Sequence, residues 1–155
     1  MERVQEARSY TFDLELGYFQ FYLGDAEADP GSILPTLWDG GDVWAHRLVV
    51  MPGMLVVRTE DPSYAKVIVT LHDGEPGELA KDWNHVIDAS LAIPSGRLVV
   101  MDFAPVTSLL NSITVEPSTY RVRIGHRYRN GFDEDPYFVS LWPAPLSNSI
   151  AHRLA

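Results

Sequence analysis

The chain of 155 residues contains no cysteine. That excludes a disulfide framework, a thiolate metal site and a nucleophilic thiol. No apolar run approaches the roughly 20 residues of a membrane span. The opening MERVQEARSY has no apolar stretch of the signal-peptide kind. A cytoplasmic protein that stays off membranes is the expectation. Basic residues are scarce as well: 12 Lys and Arg stand against 21 Asp and Glu, for a formal net charge of −9. Between Ser9 and His46 there is no Lys or Arg, while Asp13, Glu15, Asp25, Glu27, Asp29, Asp39 and Asp42 all fall there. Such a balance repels bare nucleic acid and speeds encounters with basic partners. Direct binding to nucleic acid is therefore not expected.

Catalytic signatures are also missing. No GxSxG elbow and no Gly-rich phosphate loop of either common kind occurs. The histidines, His46, His72, His85, His126 and His152, show no HxH, HxxxH or HExxH spacing. A mononuclear metal site on a jelly-roll announces itself with two close histidines and a following Glu, and that is absent too. No metal and no cofactor is expected. Asp25, Glu27 and Asp29 share the i, i+2, i+4 spacing of a calcium loop. However, Pro30 and Thr36 occupy the positions where an EF-hand needs Gly and Glu.

What is present is a period of two. In YTFDLEL, Tyr10, Phe12, Leu14 and Leu16 alternate with polar residues, as in a half-buried strand. Gly17 marks a bulge or bend before YFQFYLG. A long Asp-, Gly- and Pro-rich loop follows over 25–42. WAHRLVVM and MLVVRTE flank the Pro52-Gly53 turn as a hairpin. AKVIVTLH is apolar on both faces and reads as a central strand. WNHVIDASLAI, RLVVMDF, ITV, YRVRIGHRYR and YFVSLWPAP complete the set. The tail 146–155 reads as loosely ordered or weakly helical. Eight to ten strands with frequent turn signals and little helix predict an all-β fold. The expected architecture is an antiparallel β-sandwich of jelly-roll or Greek-key type, one domain over 1–155, with a barrel as the alternative.

Three groups of residues carry the functional expectations. Trp38 and Trp44 flank the acidic turn Asp39-Gly40-Gly41-Asp42. With Asp25, Glu27 and Asp29, they compose a candidate partner-binding surface, since Trp is favoured at binding hot spots. In YRVRIGHRYR, Tyr120, Val122, Ile124, His126 and Tyr128 share one parity, and Arg121, Arg123, Arg127 and Arg129 the other. This basic strip reads as a solvated outer face. Arg121 and Arg123 are expected to pair with carboxylates on adjacent strands, and Arg127 and Arg129 to remain free for a partner. Asp88 and Asp102 are carboxylates in apolar strands and the only candidates for acid–base work.

The succession WNHVIDASLAIPSGRLVVMDF, ITVEPSTYRVRIGHRYR and YFVSLWPAP resembles the bacterial competence protein J family. The likeness covers 83–145 and, more faintly, YTFDLELGYFQFYL. It extends to small bacterial proteins of immunity type. The resemblance implies a non-enzymatic inhibitor of a DNA-entry nuclease or a similar toxin. Carboxylates on such a protein can occupy the basic cleft of a nuclease and gain on-rate from steering. The alternatives are a small-ligand or carbohydrate-binding sandwich built on Trp38, Trp44, Trp83 and Trp142, and a hydrolase using Asp88 or Asp102 with a histidine. Edge strands leave a homodimer open.

Overall fold

The computed structural model describes residues 7–17, 19–28, 38, 40–101, 111–129 and 135–155. They form eleven strands and one four-residue helix. In chain order these are β1 (Arg8–Glu15), β2 (Gln20–Asp25), α1 (Val43–His46), β3 (Leu48–Met51), β4 (Met54–Arg58) and β5 (Tyr64–Leu71). They continue with β6 (His85–Ile93), β7 (Arg97–Met101), β8 (Ser112–Thr114), β9 (Ser118–His126), β10 (Tyr137–Pro143) and β11 (Ile150–Arg153). One sheet has the order β1-β5-β10-β9-β6-β11 and the other β3-β4-β2-β7-β8. All neighbours are antiparallel except β5 and β10, which run parallel. This is the expected β-sandwich.

The alternation read from the sequence sets the main core. Leu14, Ala65, Val67, Val69, Ile87, Ala89, Val122, Ile124, Val139 and Leu141 face Phe21, Leu23, Leu55, Val57, Leu98 and Val100 from the other sheet. A second apolar cluster lies on the outer face of the five-stranded sheet. There Tyr22, Met54, Val56, Val99 and Met101 are covered by Ala26, Ala28 and Trp38 of the long loop and by Val43 of α1. That explains why MLVV is apolar at consecutive positions, since both faces of the sheet are buried there; in LVVM, on the edge strand, Val50 stays exposed.

Two expectations need correction. WAHRLVVM is not strand throughout. Val43–His46 forms one helical turn, and Arg47, at φ 53°, breaks it in the left-handed region. The tail is not loose or helical either. Ile150–Arg153 pairs with β6 as an eleventh strand, with a register shift between Ala151 and Arg153. Its residues are mostly exposed, so no apolar alternation marked it. Side-chain anchors on the sheet beneath hold it instead.

Candidate protein-binding surface

The aromatic part of the site is built around α1. Gly40 and Gly41 take φ of 81° and 64°, which lets the chain turn sharply into the helix. Trp44 then donates its indole N–H to the Trp38 carbonyl at 2.8 Å, and Trp38 donates its own to Gln20 Oε1 at 2.9 Å. The two rings meet at 5.3 Å. The Arg58 guanidinium, at the end of β4, lies 4.9 Å from the Trp44 ring and 4.7 Å from Phe19. Trp44 is thus fixed on several sides while 54% of it stays exposed. Asp42, exposed, begins the same helix and caps it with no side-chain bond.

The acidic residues do not all gather there. Asp25 is buried. Its Oδ1 accepts from the Glu27 amide at 2.8 Å, and its Oδ2 from the Ser95 amide and hydroxyl at 2.9 and 2.8 Å. It ties two turns together rather than projecting outward. Glu27 is exposed, but it lies beyond the Asp25 end of β2, whereas Trp38 bonds Gln20 at the other. Five residue steps along the strand separate those ends, roughly 16 Å. Asp29 and Asp39 lie outside the described residues. Sequence reasoning missed Phe19 and Arg58. The visible signal was Arg58 closing an otherwise apolar strand.

The basic strip differs from a solvated face. Arg121 and Arg123 are 6% and 5% exposed: the tail bonds Arg121, while Asp88, Glu75 and the Trp142 ring surround Arg123. Register decides their partners. Arg123 lies opposite Asp88 and Arg121 opposite Ser90. Arg123 grips Asp88 with Nε–Oδ1 at 2.8 Å and NH2–Oδ2 at 2.9 Å, and reaches Glu75 at 3.0 Å. The expected carboxylate pairing holds for Arg123. It fails for Arg121, which instead donates to Ser90 Oγ and to the Ser147 and Asn148 carbonyls. Arg127 and Arg129 are exposed, and Arg129 pairs with Asp135 at 3.0 Å.

Asp88 is buried beside a histidine, and its two oxygens are taken up by Arg123 and His152. His152 Nε2 lies 2.9 Å from Oδ2. Burial alone would raise the Asp88 pKa, yet the bonds from Arg123 and His152 outweigh it and hold the carboxyl below its ordinary value. A carboxylate so held carries no proton to donate near neutrality and is a weak base. It pins β11 to β6. Asp102 lies outside the described residues.

The other histidines serve the scaffold. His126 stacks on Tyr137 at 3.7 Å. His85 Nδ1 accepts from the Ala155 amide at 3.2 Å, so its Nε2 donates to the His46 carbonyl at 2.8 Å. Burial, chiefly, lowers the His85 pKa, and the positive charge of Arg47 adds to this. The unfolded chain therefore binds a proton more readily than the folded one. Stability that is complete above the ordinary value of 6.5 is lost as pH falls below it. Urea midpoints taken from pH 7.5 to 5 should fall, and His85→Asn should flatten that slope. An unchanged slope would refute the assignment. Among the described residues, no group of three or more His, Asp or Glu could hold a metal ion. No described helix is long and apolar enough to cross a membrane.

The tryptophans line none of three surface cavities. One lies between Arg8, His72, Asp73, Glu75 and Glu116, one beside Arg47 and Tyr128, and one by Val50 and Leu146. Trp83 stacks on Phe138 at 5.1 Å, and Trp142 lies 5.1 Å beneath the Arg123 guanidinium. Both are scaffold rings rather than sugar platforms.

No protein-family profile matches the sequence, and no curated protein matches it significantly. Two solved structures share the fold. One is ComJ from Bacillus subtilis, an inhibitor of the DNA-degrading activity of NucA. It is 12% identical, with a TM-score of 0.67 over 90% of this chain and 100% of ComJ. The other is the product of crocagin biosynthetic gene J. It is 21% identical, with a TM-score of 0.63 over 91% of this chain and 100% of its own. The resemblance read from the sequence therefore holds at the level of fold.

Proposed function

We propose that the protein is a non-enzymatic inhibitor or immunity protein of the cytoplasm. Its partner is a basic, nuclease-like protein, and it acts by occluding that partner's surface. The observation that carries this reading is Trp44, 54% exposed yet held by the Trp38 carbonyl and the Arg58 guanidinium. A large ring fixed in position and open to solvent loses little entropy on binding, which is what an interface anchor requires. The fold shared with an inhibitor of a DNA-degrading enzyme supports the class. The net charge of −9 supports a basic partner. Asp42 and Trp44 form the centre of the surface, with Trp38 behind them.

The test is titration against a nuclease encoded beside it. Nuclease activity should fall to zero near one equivalent, and the complex should weaken as salt rises. Trp44→Ala should weaken the complex by roughly 30-fold or more, as at an interface hot spot. Its thermal midpoint should stay near that of the parent, because the ring is half exposed. Full inhibition by Trp44→Ala would remove this surface from the interface. No inhibition by the parent would remove the class.

A further inference from the structure

We infer that the cavity beside Arg47 is a carboxylate-binding site, independent of the proposed function. The cavity measures about 380 Å³ and is lined by Arg47, Glu60, Asn84, Tyr128, Arg129 and Ala155. Arg47 is the notable member. It ends α1 with φ 53° and ψ 35°, where glycine is the residue without strain. An L-residue there costs roughly 1–2 kcal/mol. The backbone turn gains nothing from the arginine, so the reason for it lies in the side chain.

That side chain is held ready. Its guanidinium lies 4.0 Å from the centre of the Tyr128 ring. Tyr128 is itself fixed at three points. Its hydroxyl donates to the Arg58 carbonyl at 2.6 Å, its amide to Asn84 Oδ1 at 2.8 Å, and its carbonyl accepts from Asn84 Nδ2 at 2.7 Å. Stacking fills one face of the guanidinium and leaves its N–H edge for acceptors. Among the described residues, no carboxylate forms an ion pair with Arg47. A preorganised, half-buried guanidinium without an acceptor, facing an open cavity, is a built anion site.

Charge selects the anion. The lining holds two guanidiniums and one carboxylate, and Arg129 already pairs with Asp135 at 3.0 Å. Arg47 and Arg129 against Glu60 and Asp135 leave no net charge, in a chain of net −9. A monoanion adds one negative charge to that setting and a phosphate dianion adds two, so the monoanion is favoured. A carboxylate also matches the planar fork of arginine with two parallel bonds. The source is either a small free acid or an Asp or Glu side chain of a protein partner.

The experiment follows the Arg47 side-chain Nε–H resonance by NMR at constant ionic strength. Sodium acetate should shift it saturably, with a dissociation constant on the order of millimolar. Sodium chloride should give no saturation, and phosphate at pH 7.5 should bind more weakly than acetate. Arg47→Gly relieves the backbone and should fold at least as stably. In it, the acetate-induced shifts of the neighbouring His46 and Tyr128 amides should disappear. Arg47→Lys keeps the charge without the fork and should weaken binding several-fold. N-acetyl-aspartate amide, compared with acetate, separates the sources: tighter binding assigns the site to a protein side chain, and equal binding to a small acid. Equal responses to chloride and acetate, stronger binding of phosphate, or shifts that persist in Arg47→Gly would each overturn the inference.

Discussion

Replacing Arg123 with alanine is expected to lower the unfolding free energy by roughly 3–5 kcal/mol, the cost of breaking a buried ion pair from one side. Arg123 and Asp88 are 5% and 3% exposed and joined by two bonds of 2.8 and 2.9 Å. Without the guanidinium, Asp88 is left as a buried charge with His152 alone beside it. For a chain of this length the loss corresponds to roughly 6–20 °C in thermal midpoint. The Glu75 contact adds little, because that side chain is 65% exposed and water screens it. The double change Asp88→Leu with Arg123→Met should recover much of the loss, since it removes both desolvated charges. Urea unfolding of the three proteins decides the matter. A loss below about 1 kcal/mol in Arg123→Ala would mean that water reaches the pair.

The same pair sets an acid limit. The folded Asp88 carboxyl has its pKa below its ordinary value of 3.8, so the unfolded chain takes up that proton first as pH falls. The contribution is complete above the ordinary value and is lost as pH drops through the folded one. Asp88→Asn should be less stable at pH 6, and the gap should close towards pH 2.

Gly125→Ala is expected to cost about 1–3 kcal/mol, the usual range for overfilling a packed site. A methyl group at Gly125 would lie 2.3 Å from Trp83 Cε3 and 2.6 Å from Cδ2. The ring cannot step aside easily. It stacks on Phe138, its residue's amide donates to the Ala80 carbonyl, and its own carbonyl accepts from Arg153. Trp83→Leu opens the space, so Gly125→Ala should cost markedly less in that background. Chemical denaturation of the double-mutant cycle measures the coupling. Equal costs in both backgrounds would show that the ring does not set the requirement for glycine.

Much of the fold is legible in the chain. The alternation of Tyr120, Val122, Ile124, His126 and Tyr128 does put each of them in the interior. The turns at Gly53 and Gly96 lie where Pro52-Gly53 and Pro94-Ser95-Gly96 were read, both with φ of 73°. These are local signals, written by backbone sterics and side-chain parity. The functional surface is less legible. Trp38 and Trp44 are near in sequence and meet in space, but Phe19 and Arg58 reach them only because β2 and β4 pair. Asp25 has the look of a surface carboxylate, and the Ser95 turn, seventy residues away, makes it a buried one.

The basic strip divides along the same line. Sequence alone determined that the four arginines share one face and that the apolar set takes the other, because a strand has a period of two. It also determined the acidity, a net charge of −9. What covers the arginines was decided by tertiary structure. The eleventh strand carries no apolar alternation of its own, and it forms because Asp88, Ser90 and Arg121 supply anchors for it and for the segment leading into it. Register between β6 and β9 then gave Arg123 a carboxylate and Arg121 a serine. A one-dimensional pattern specifies the face of a residue, but pairing across strands specifies its neighbour.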